Sequence, residues 1–539
     1  MRGPVPPHDI EHFPGTSVGR TAMSEEIEIK LRIPPEALRK VRRIAWFRDM
    51  VCGPVTRRKL VSTYFDTGKF KLCDRRIALR VRRENRSWIQ TVKADANGTA
   101  GAFGRRQWEQ KVAANVPELE HAYDTALGPL VSEALKRKLK PAFKTVIWRT
   151  AVPVRVNGSE LEVAIDRGEI VAGDIVEPVN EIEIELKEGD PAEIVRLAER
   201  LAKALPAVYE ARTKPERGFL LATGKNGKAF HGDPIVLAPA ITAEESFRTI
   251  GLNCLHHLTA NEVAVLNGDS NGVHQMRVGL RRLRAAISVF KDLSQDSHTD
   301  FVKTELKWLT EQLGPARDFD VLVRESVAPL AEDRHGASEI GVLKQDLEAR
   351  RDAEFARAKA ALESERYRRI TLDVALWLAG GAWSQNGSLL AEARRKRPAA
   401  AYAAETLTER TRKIVKSLRH LEKLEVPQRH RLRIAVKKLR YAAEFFESLF
   451  KGAEAQTRRA HLGKTLKELQ DALGKLNDIG VQQKLAAEIM QSGGQPEQLS
   501  QKVYAMGIVT GRSHVKYEAC IAAAVKAGRR LAAARQFWQ

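Results

Sequence analysis

The sequence predicts an α+β domain with a largely antiparallel sheet, followed by an all-α domain. Two observations predict this: residues 24 to about 190 alternate apolar and charged residues with period two, and beyond residue 222 Ala-, Leu-, Arg- and Glu-rich helical patterns replace that alternation. A third observation is a repeat inside the helical half, which indicates two similar helical bundles. The chain has 539 residues, 43% of them hydrophobic, and is long enough for several buried cores.

The period-two stretches predict the strands of the first half. The segment EIEIKLRI places Glu26, Glu28 and Lys30 on one face of a strand and apolar residues on the other. The segment IALRVRR does the same with Arg80 and Arg82. The alternation continues in WIQTVK, FKTVIWRTAVPVRV, LEVAIDRGEIV and NEIEIELKEG. Helical patterns between the strands cover 34–45, 117–139 and 191–205, which makes this half α+β.

The charged faces of these strands carry acidic and basic residues in separate groups. Any single strand fits an antiparallel sheet with one solvated face. The alternative is a closed barrel with a charged lumen, in which the pairs Glu26/Glu28 and Glu183/Glu185 bind a divalent cation such as Mg²⁺. The donors to phosphate oxygens would then be Arg80, Arg82, Lys93, Arg149 and Lys214. Segregation of the two signs favours a metal–phosphate complex between them, because a solvated face needs no segregation.

Two segments of the helical half, HQMRVGLRRLR and HRLRIAVKKLR, carry the same basic pattern. In a helix, the residues of the first basic stripe lie within an arc of about 80°; they are His274, Arg277, Arg281 and Arg284. The second basic stripe repeats this arrangement with His430, Arg433, Lys437 and Arg440. Apolar residues face the opposite side of each helix, and neither stripe has an acidic residue among its neighbours.

A second pair of segments shows that the helical half is duplicated. LKWLTEQLGPARDFDVL (306–322) aligns without gaps to LKELQDALGKLNDIGVQ (466–482), with Lys307 matched to Lys467. The order and spacing of the segments are preserved between the two copies. Two bundles related by pseudo-symmetry would turn both basic stripes toward one shared groove.

The formal net charge of +22 indicates a polyanionic partner. The excess is about +14 in residues 411–539 and about +9 in residues 1–240, so it is local. No apolar run reaches the length of about 18 residues that a membrane span needs. The Pro- and Gly-rich residues 1–23 lack an apolar core and are expected to be a disordered leader rather than a secretory signal. Four scattered cysteines indicate a reducing compartment, and we expect a cytoplasmic protein without a zinc site.

Eight motifs in order resemble the CYTH, or triphosphate tunnel metalloenzyme, family: EIEIK, YFDT, ALRVRR, TVK, RRQWE, EVAIDRG, EIEIELK and TKPERG. The resemblance implies an antiparallel eight-stranded tunnel barrel that binds triphosphate-type substrates with Mg²⁺ or Mn²⁺. The implied metal ligands are Glu26, Glu28, Glu109, Asp166, Glu183 and Glu185. The implied substrate-binding residues are Lys30, Arg80, Arg82, Lys93, Arg149, Lys214 and Arg217. The implied catalytic residues are Glu26, Glu28, Lys30, Glu183 and Glu185. Gln107 departs from the family, which often has an acidic residue there.

The helical half resembles the CHAD family, which often follows CYTH, in HQMRVGLRRLR, LGPARDFDVL, HRLRIAVKKLRY and LGKLNDIGV. The resemblance implies two pseudo-symmetric four-helix bundles that bind inorganic polyphosphate between the basic stripes. The implied ligands are His274, Arg277, Arg281, Arg282, Arg284, Lys307, Arg317, His430, Arg433, Lys437, Lys438, Arg440 and Lys467. The expected domains are CYTH at 24–222, a linker at 223–240 and CHAD at 241–539, with repeats at about 241–400 and 401–539.

The expected activity is metal-dependent hydrolysis of inorganic triphosphate to pyrophosphate and phosphate. The sequence does not fix the substrate, so another organic triphosphate stays open. A non-catalytic scaffold that binds polyphosphate and targets granules is a further alternative, disfavoured because both Glu pairs are retained. Nucleic acid is disfavoured as a partner because the stripes lack interleaved aromatic residues for base stacking. No membrane partner is expected, and a homodimer is left open.

Overall fold

The computed structural model describes residues 28–84, 86–95, 105–331, 337–385, 387–491, 496–515 and 517–539. The expected leader and the predicted ligand Glu26 lie outside these residues. Among the helices described, none combines the length and the apolar character that crossing a membrane requires.

The N-terminal half forms one sheet. Its strands are β1 Glu28–Arg32, β2 Thr56–Thr67, β3 Ile77–Glu84, β4 Ser87–Asp95, β5 Arg105–Val112, β6 Leu139–Val156, β7 Ser159–Ala172, β8 Ile175–Glu188 and β9 Val208–Tyr209. They pair in the order β5-β4-β3-β2-β6-β7-β8-β1-β9, and every pairing is antiparallel. The predicted antiparallel sheet is therefore confirmed; the ninth strand is a two-residue addition next to β1.

The hairpin between β6 and β7 shows how local sequence fixes the register of the sheet. Val156 pairs with Ser159, so only Asn157 and Gly158 form the turn. Both turn residues have positive φ, 47° and 84°, which the twist-compatible two-residue turn requires and which Asn and Gly tolerate. This register places Arg149 opposite Asp166 on the neighbouring strand.

Five helices accompany the sheet: α1 Pro35–Leu38, α2 Ala45–Arg48, α3 Glu133–Lys136, α4 Ala192–Ala204 and α5 Lys214–Ala222. The apolar face of α4 buries Ile194, Leu197 and Leu201. They join the fully buried Leu31 and Ile182 of the sheet in one core. The other face of β7 and β8 carries the charged residues.

The C-terminal half is helical, as predicted. Its helices are α6 Ala243–Thr259, α7 Glu262–Leu266, α8 Ser270–Val289, α9 Thr299–Val321, α10 Ala328–Ala331, α11 Ala337–Glu363, α12 Glu365–Gly380, α13 Leu389–Lys396, α14 Ala399–Leu418, α15 Val426–Phe446, α16 Ala453–Gln491, α17 Pro496–His514 and α18 Tyr517–Ala533. A π-helical segment, Leu322–Val327, separates α9 from α10. The duplicated segments correspond to α8 with α9 and to α15 with α16.

The two repeats contact each other in two places. Near the basic stripes, α8 packs against α15. Further along, Leu322 and Leu343 of the first repeat share a small core with Leu485 and Met506 of the second. The repeats are therefore held together by apolar packing on both sides of the charged residues that they present.

The two halves of the chain also share a core. Helix α12 packs against both α4 and β9. Gly380 at the end of α12 lies close to Val195, and a Cβ atom there would come within 3.2 Å of Val195 Cγ2. The largest apolar cluster is continuous from the sheet through these helices into the second repeat.

Candidate functional site

Two buried carboxylates and one half-buried carboxylate meet on β7 and β8, and we call them the carboxylate cluster. The cluster consists of Asp166, Glu181 and Glu183, whose ligand oxygens lie within 4.8 Å of one another. Asp166 pairs directly with Glu181 across the strands, and Glu183 follows on the same face two residues later. Period-two alternation and strand register thus bring three negative charges to one point.

Two cations lie among these oxygens. The Lys214 ammonium is 2.7 Å from Asp166 Oδ2 and 3.0 Å from Glu183 Oε1, and it also pairs with Glu181. The Arg149 guanidinium donates to both Asp166 oxygens, at 2.8 and 2.6 Å, and to Glu183. Sequence analysis predicted both cations and two of the three carboxylates, and the structure brings them into one network.

The network controls the protonation of its members. Burial disfavours the ionised form of Glu183, but the charges of Lys214, Arg149 and Lys30 outweigh it and hold the pKa of this carboxyl well below its ordinary value. Burial disfavours the charged form of Lys214, but the carboxylate cluster raises its pKa well above the ordinary value. Burial raises the pKa of Glu181. The neighbouring cations therefore hold Glu183 as a carboxylate.

The predicted residues of β1 lie beside this network. Lys30 is opposite Glu183 in register, and its ammonium bonds the Glu28 carboxylate. Glu28 is in turn opposite Glu185. The Glu185 carboxylate pairs with Lys187 at 2.6 Å, one row away from the carboxylate cluster.

Glu181 is a cluster member that sequence analysis missed, although it shares the charged face of EIEIELK. Arg217, predicted to bind substrate, instead holds Glu181 in place. Its buried guanidinium donates to Glu177 Oε1 at 2.6 Å, to Glu181 Oε2 at 3.0 Å and to the Pro178 carbonyl at 3.0 Å. These bonds direct the Arg217 side chain to the protein itself.

A second group of predicted residues lies on β3 to β5. Arg80 Nη2 is 3.7 Å from Glu109 Oε1, which also accepts a 3.1 Å hydrogen bond from Thr91 Oγ1. Arg82 pairs with Glu84, and burial and the Arg80 charge lower its pKa. The Nε atoms of both arginines are buried without a hydrogen-bond partner among the described residues. Such donors indicate a place for an anionic acceptor.

Lys93 and Gln107 occupy facing positions in this second group. They pair across β4 and β5, so the non-acidic residue of the family pattern lies beside a cation. The Gln107 Oε1 atom is buried and has no hydrogen-bond partner within the described part of the chain.

The two basic stripes meet where α8 packs against α15, and we call the surface that they form there the basic groove. Burial, together with the charges of Arg433 and Arg281, lowers the pKa of Lys437 to about 7. Because Arg281 belongs to the first stripe and Arg433 to the second, charges from both repeats act on one side chain. The Nε atoms of both arginines are buried without hydrogen-bond partners among the described residues. Lys438 spans the junction by donating to Ser288 Oγ at 3.2 Å.

The remaining residues of the first stripe are held by α9. Arg277 donates to the carbonyls of Leu313, at 3.0 Å, and Gly314, and lies 3.3 Å from Asp318 Oδ1. Arg284 donates to Thr310 Oγ1 at 2.9 Å.

The two stripe histidines differ in burial and in their contacts. Burial and the charges of Arg317 and Arg281 lower the pKa of His274 to about 4, so this ring is neutral at pH 7. His430 is exposed, and its Nδ1 lies 2.8 Å from Asn477 Oδ1. Neutral His274 contributes a hydrogen-bonding ring rather than a positive charge.

The other residues predicted to bind polyphosphate differ in their contacts and in their exposure. Arg317 pairs with Asp320, and the Arg440 guanidinium lies 4.9 Å from the centre of the Tyr441 ring. Lys307 and Lys467 are exposed at matching positions of the two repeats.

Arg282 lies away from the basic groove although it was predicted as part of it. Its side chain is buried, with Nη1 3.3 Å from His257 Nδ1 and Nη2 3.1 Å from Glu444 Oε1. One residue along a helix turns the side chain by about 100°, so the neighbour of Arg281 enters the core instead.

Replacement of Arg282 by methionine is therefore expected to destabilise the helical domain by about 2 kcal/mol, because it removes the guanidinium that contacts the Glu444 carboxylate and His257 Nδ1. Urea unfolding measures this change. Arg284→Met, on the exposed side of the same helix, is the control and should change the unfolding free energy by less than about 0.5 kcal/mol. Equal effects of the two substitutions would contradict a structural role for Arg282.

Comparisons with known proteins divide the chain in the same way. A CYTH domain model matches residues 24–219 and a CHAD domain model matches residues 249–487. An inorganic triphosphatase from Haemophilus influenzae is 29% identical over 207 residues, which cover 37% of this chain. The match spans 56% of the length of that relative.

Solved structures are similar to either half. The CHAD domain from the plant Ricinus communis matches 57% of this chain and 97% of its own, with 29% identity and a TM-score of 0.48. The Hippeastrum protein HpAC1, whose structure is described as revealing a dominant triphosphatase activity, matches 37% of this chain and 96% of its own, with 19% identity and a TM-score of 0.27. By the two domain models, the chain carries a CYTH domain at residues 24–219, followed by a CHAD domain at residues 249–487.

Proposed function

We propose that the CYTH domain hydrolyses inorganic triphosphate to pyrophosphate and phosphate with a divalent metal ion, and that the CHAD domain binds inorganic polyphosphate. The observation that carries the first part is the carboxylate cluster with Lys214 and Arg149 among its oxygens. The similarity of this half to an inorganic triphosphatase supports the choice of substrate. We propose the expected domain boundaries of 24–222 and 241–539 on the same grounds.

The carboxylate cluster fits a hard divalent cation such as Mg²⁺ or Mn²⁺. Its members offer carboxylate oxygens within 4.8 Å of one another, and oxygen is the ligand that these ions prefer. The ammonium of Lys214 lies among the same oxygens, so a bound metal ion would share these ligands with it. When bound, the metal would neutralise phosphate oxygens as a Lewis acid. Glu26, Glu28, Glu109 and Glu185 stay predicted ligands.

The basic residues of the CYTH domain have a separate role, which is to stabilise the charge of the phosphate oxygens. Phosphoryl transfer depends mainly on positioning and on stabilising the charge of the phosphate oxygens. Arg149 and Lys214 supply cations at the carboxylate cluster, and Arg80 and Arg82 supply buried donors on β3. An ionised Glu183 is suited to accept a hydrogen bond from an attacking water and so to orient it, although its lowered pKa makes it a weak base. No Ser or Cys nucleophile is required for this chemistry.

The test is phosphate release from inorganic triphosphate with Mg²⁺ or Mn²⁺, compared with ATP and thiamine triphosphate. We expect turnover of inorganic triphosphate that stops when EDTA is added and returns with excess metal. Turnover of only an organic triphosphate would change the substrate that we propose. Absence of turnover on all three would leave the scaffold function, in which the polyphosphate groove is the whole activity.

For the CHAD domain, two aspartates beside the basic groove lead to a prediction. Asp478 and Asp318 occupy matching positions of the repeats, and burial raises the pKa of Asp478 even though it lies close to Arg433 and Lys437. Because a carboxylate repels a polyanion, Asp478→Asn is expected to tighten polyphosphate binding about threefold to tenfold. Fluorescence titration with labelled polyphosphate measures the affinity. Asp471→Asn, an exposed change on the same helix, should leave it within about twofold.

The proposed location follows from the proposed ligand. A polyphosphate-binding groove would hold the enzyme on polyphosphate granules in the cytoplasm, next to a source of its substrate.

A further inference from the structure

A histidine of the helical domain contacts the helix that carries Lys214. His256 of α6 is buried, and its Nε2 lies 2.8 Å from Glu216 Oε1 of α5. Glu216 stands two residues after Lys214 and one before Arg217. The contact therefore joins the CHAD domain to the helix turn that supplies a cation to the carboxylate cluster.

The first turn of α5 is held from two sides. Toward the sheet, Lys214 pairs with the carboxylate cluster and Arg217 bonds Glu181. Toward the helical domain, Glu216 meets His256. The turn itself is capped by Thr213, whose hydroxyl accepts a 3.3 Å hydrogen bond from the Glu216 backbone nitrogen. A displacement of Glu216 would move the backbone from which the Lys214 side chain extends.

The segment that connects the domains encloses this contact. The Phe230 ring is centred 5.2 Å from the His256 ring, and the Phe230 backbone exchanges hydrogen bonds with the Asn261 side chain at 2.8 and 2.9 Å. Asp233 pairs with Arg76 of the CYTH domain at 2.6 Å. Gly232 packs so closely on His257 that a Cβ atom would clash. The expected linker is therefore packed over His256.

The charges around His256 come from each of these elements. Burial disfavours its charged form, but Glu216 of α5 and Asp233 of the connecting segment outweigh burial and Arg212, so the pKa of His256 is raised. The neighbouring His257 has its pKa lowered to about 3 by burial and by Arg282, and is neutral. The His256–Glu216 pair is thus charge-assisted at pH values below the raised pKa of His256.

We infer that His256 is a positioning residue of the triphosphatase site: through Glu216 it fixes the first turn of α5 and with it the Lys214 ammonium. This inference rests on the proposed function, because Lys214 is taken to bind the triphosphate there. It assigns to the CHAD domain a role in the chemistry of its neighbour that is separate from polyphosphate binding.

The experiment compares full-length wild type with His256→Gln and Glu216→Gln, with kcat and KM for inorganic triphosphate measured separately. Each substitution is expected to lower kcat/KM about tenfold, since a charge-assisted contact is lost. The wild-type advantage over His256→Gln should be largest at low pH and fade as pH rises through the raised pKa of His256, because the neutral ring no longer supplies a charge to Glu216. His257→Gln, a buried neighbour that bonds Gln275 instead of Glu216, is the matched control and should stay within about twofold.

A double-mutant cycle separates positioning from general damage to the fold. In a Lys214→Gln background, His256→Gln should have no further effect on kcat/KM, because the side chain that it positions is gone. A further tenfold loss in that background, or a wild-type-like His256→Gln enzyme, would overturn the inference while leaving the proposed function intact.

The same variants also test the positioning role of His256 when the wild type shows no turnover. Calorimetric binding of Mg²⁺ with inorganic triphosphate should then still weaken about tenfold on His256→Gln and remain unchanged on His257→Gln. That result would retain the positioning role and reject hydrolysis. Equal binding by wild type and His256→Gln would reject the positioning role.

Discussion

Glu183→Gln is expected to lower the turnover of inorganic triphosphate by about 100-fold or more. Glutamine keeps the shape of the side chain but removes the charge that Lys214 and Arg149 neutralise, so two half-buried cations lose part of the negative charge around them. The carboxylate cluster would also lose a third of its negative charge as a metal site. Steady-state phosphate release at saturating Mg²⁺ measures the effect.

The control for this change lies on the same strand. Glu188→Gln makes the same chemical substitution at the exposed end of β8 and should retain wild-type turnover within about twofold. Thermal unfolding of both variants shows whether the fold is intact. A Glu183→Gln enzyme that keeps a large part of its turnover would mean that the reaction occurs elsewhere in the domain.

Arg281→Gln combined with Arg433→Gln is expected to weaken polyphosphate binding about 100-fold. One residue comes from each stripe, and each has a buried Nε without a hydrogen-bond partner in the described structure, so both are positioned to donate to one anion. The dependence of affinity on salt should also become shallower by about two released counterions. Titration at several salt concentrations measures both quantities.

The double variant Arg431→Gln/Arg419→Gln is the control for loss of charge alone. Both arginines are exposed, and removing them changes the net charge by the same amount. This pair should weaken binding by less than about threefold, because exposed charges act weakly through salt solution. Equal losses for the two double variants would indicate that polyphosphate is attracted by overall charge and not by the basic groove.

The sequence predicted elements and faces well where a period defines them. The strands around Lys30, Arg80 and Arg149 and the two stripe helices all follow from alternation or from helical spacing. Three glutamates of EIEIELK share one face, however, so the pattern alone could not show that Glu181 joins the cluster. Glu181 joins the cluster because the register between β7 and β8 places Asp166 opposite Glu181.

Contacts between residues that are far apart in the sequence produce no periodic pattern, so the sequence did not predict them. His256 and Glu216 are 40 residues apart and belong to different domains, and neither residue has a distinctive neighbourhood. The same holds for Asp478, whose position beside Arg433 follows from how α16 packs against α15. Arg282 illustrates the opposite problem, since it adjoins the first stripe in sequence but turns into the core.

The shared core between the halves affects how the protein is made. The sheet and α4 leave the ribosome before α12, which covers part of their apolar surface in the finished molecule. During synthesis, Val195 and its neighbours therefore stay exposed until about 170 further residues have been added. The newly made CYTH domain therefore keeps apolar surface exposed after its own last residue has been translated, until α12 of the helical domain has been added.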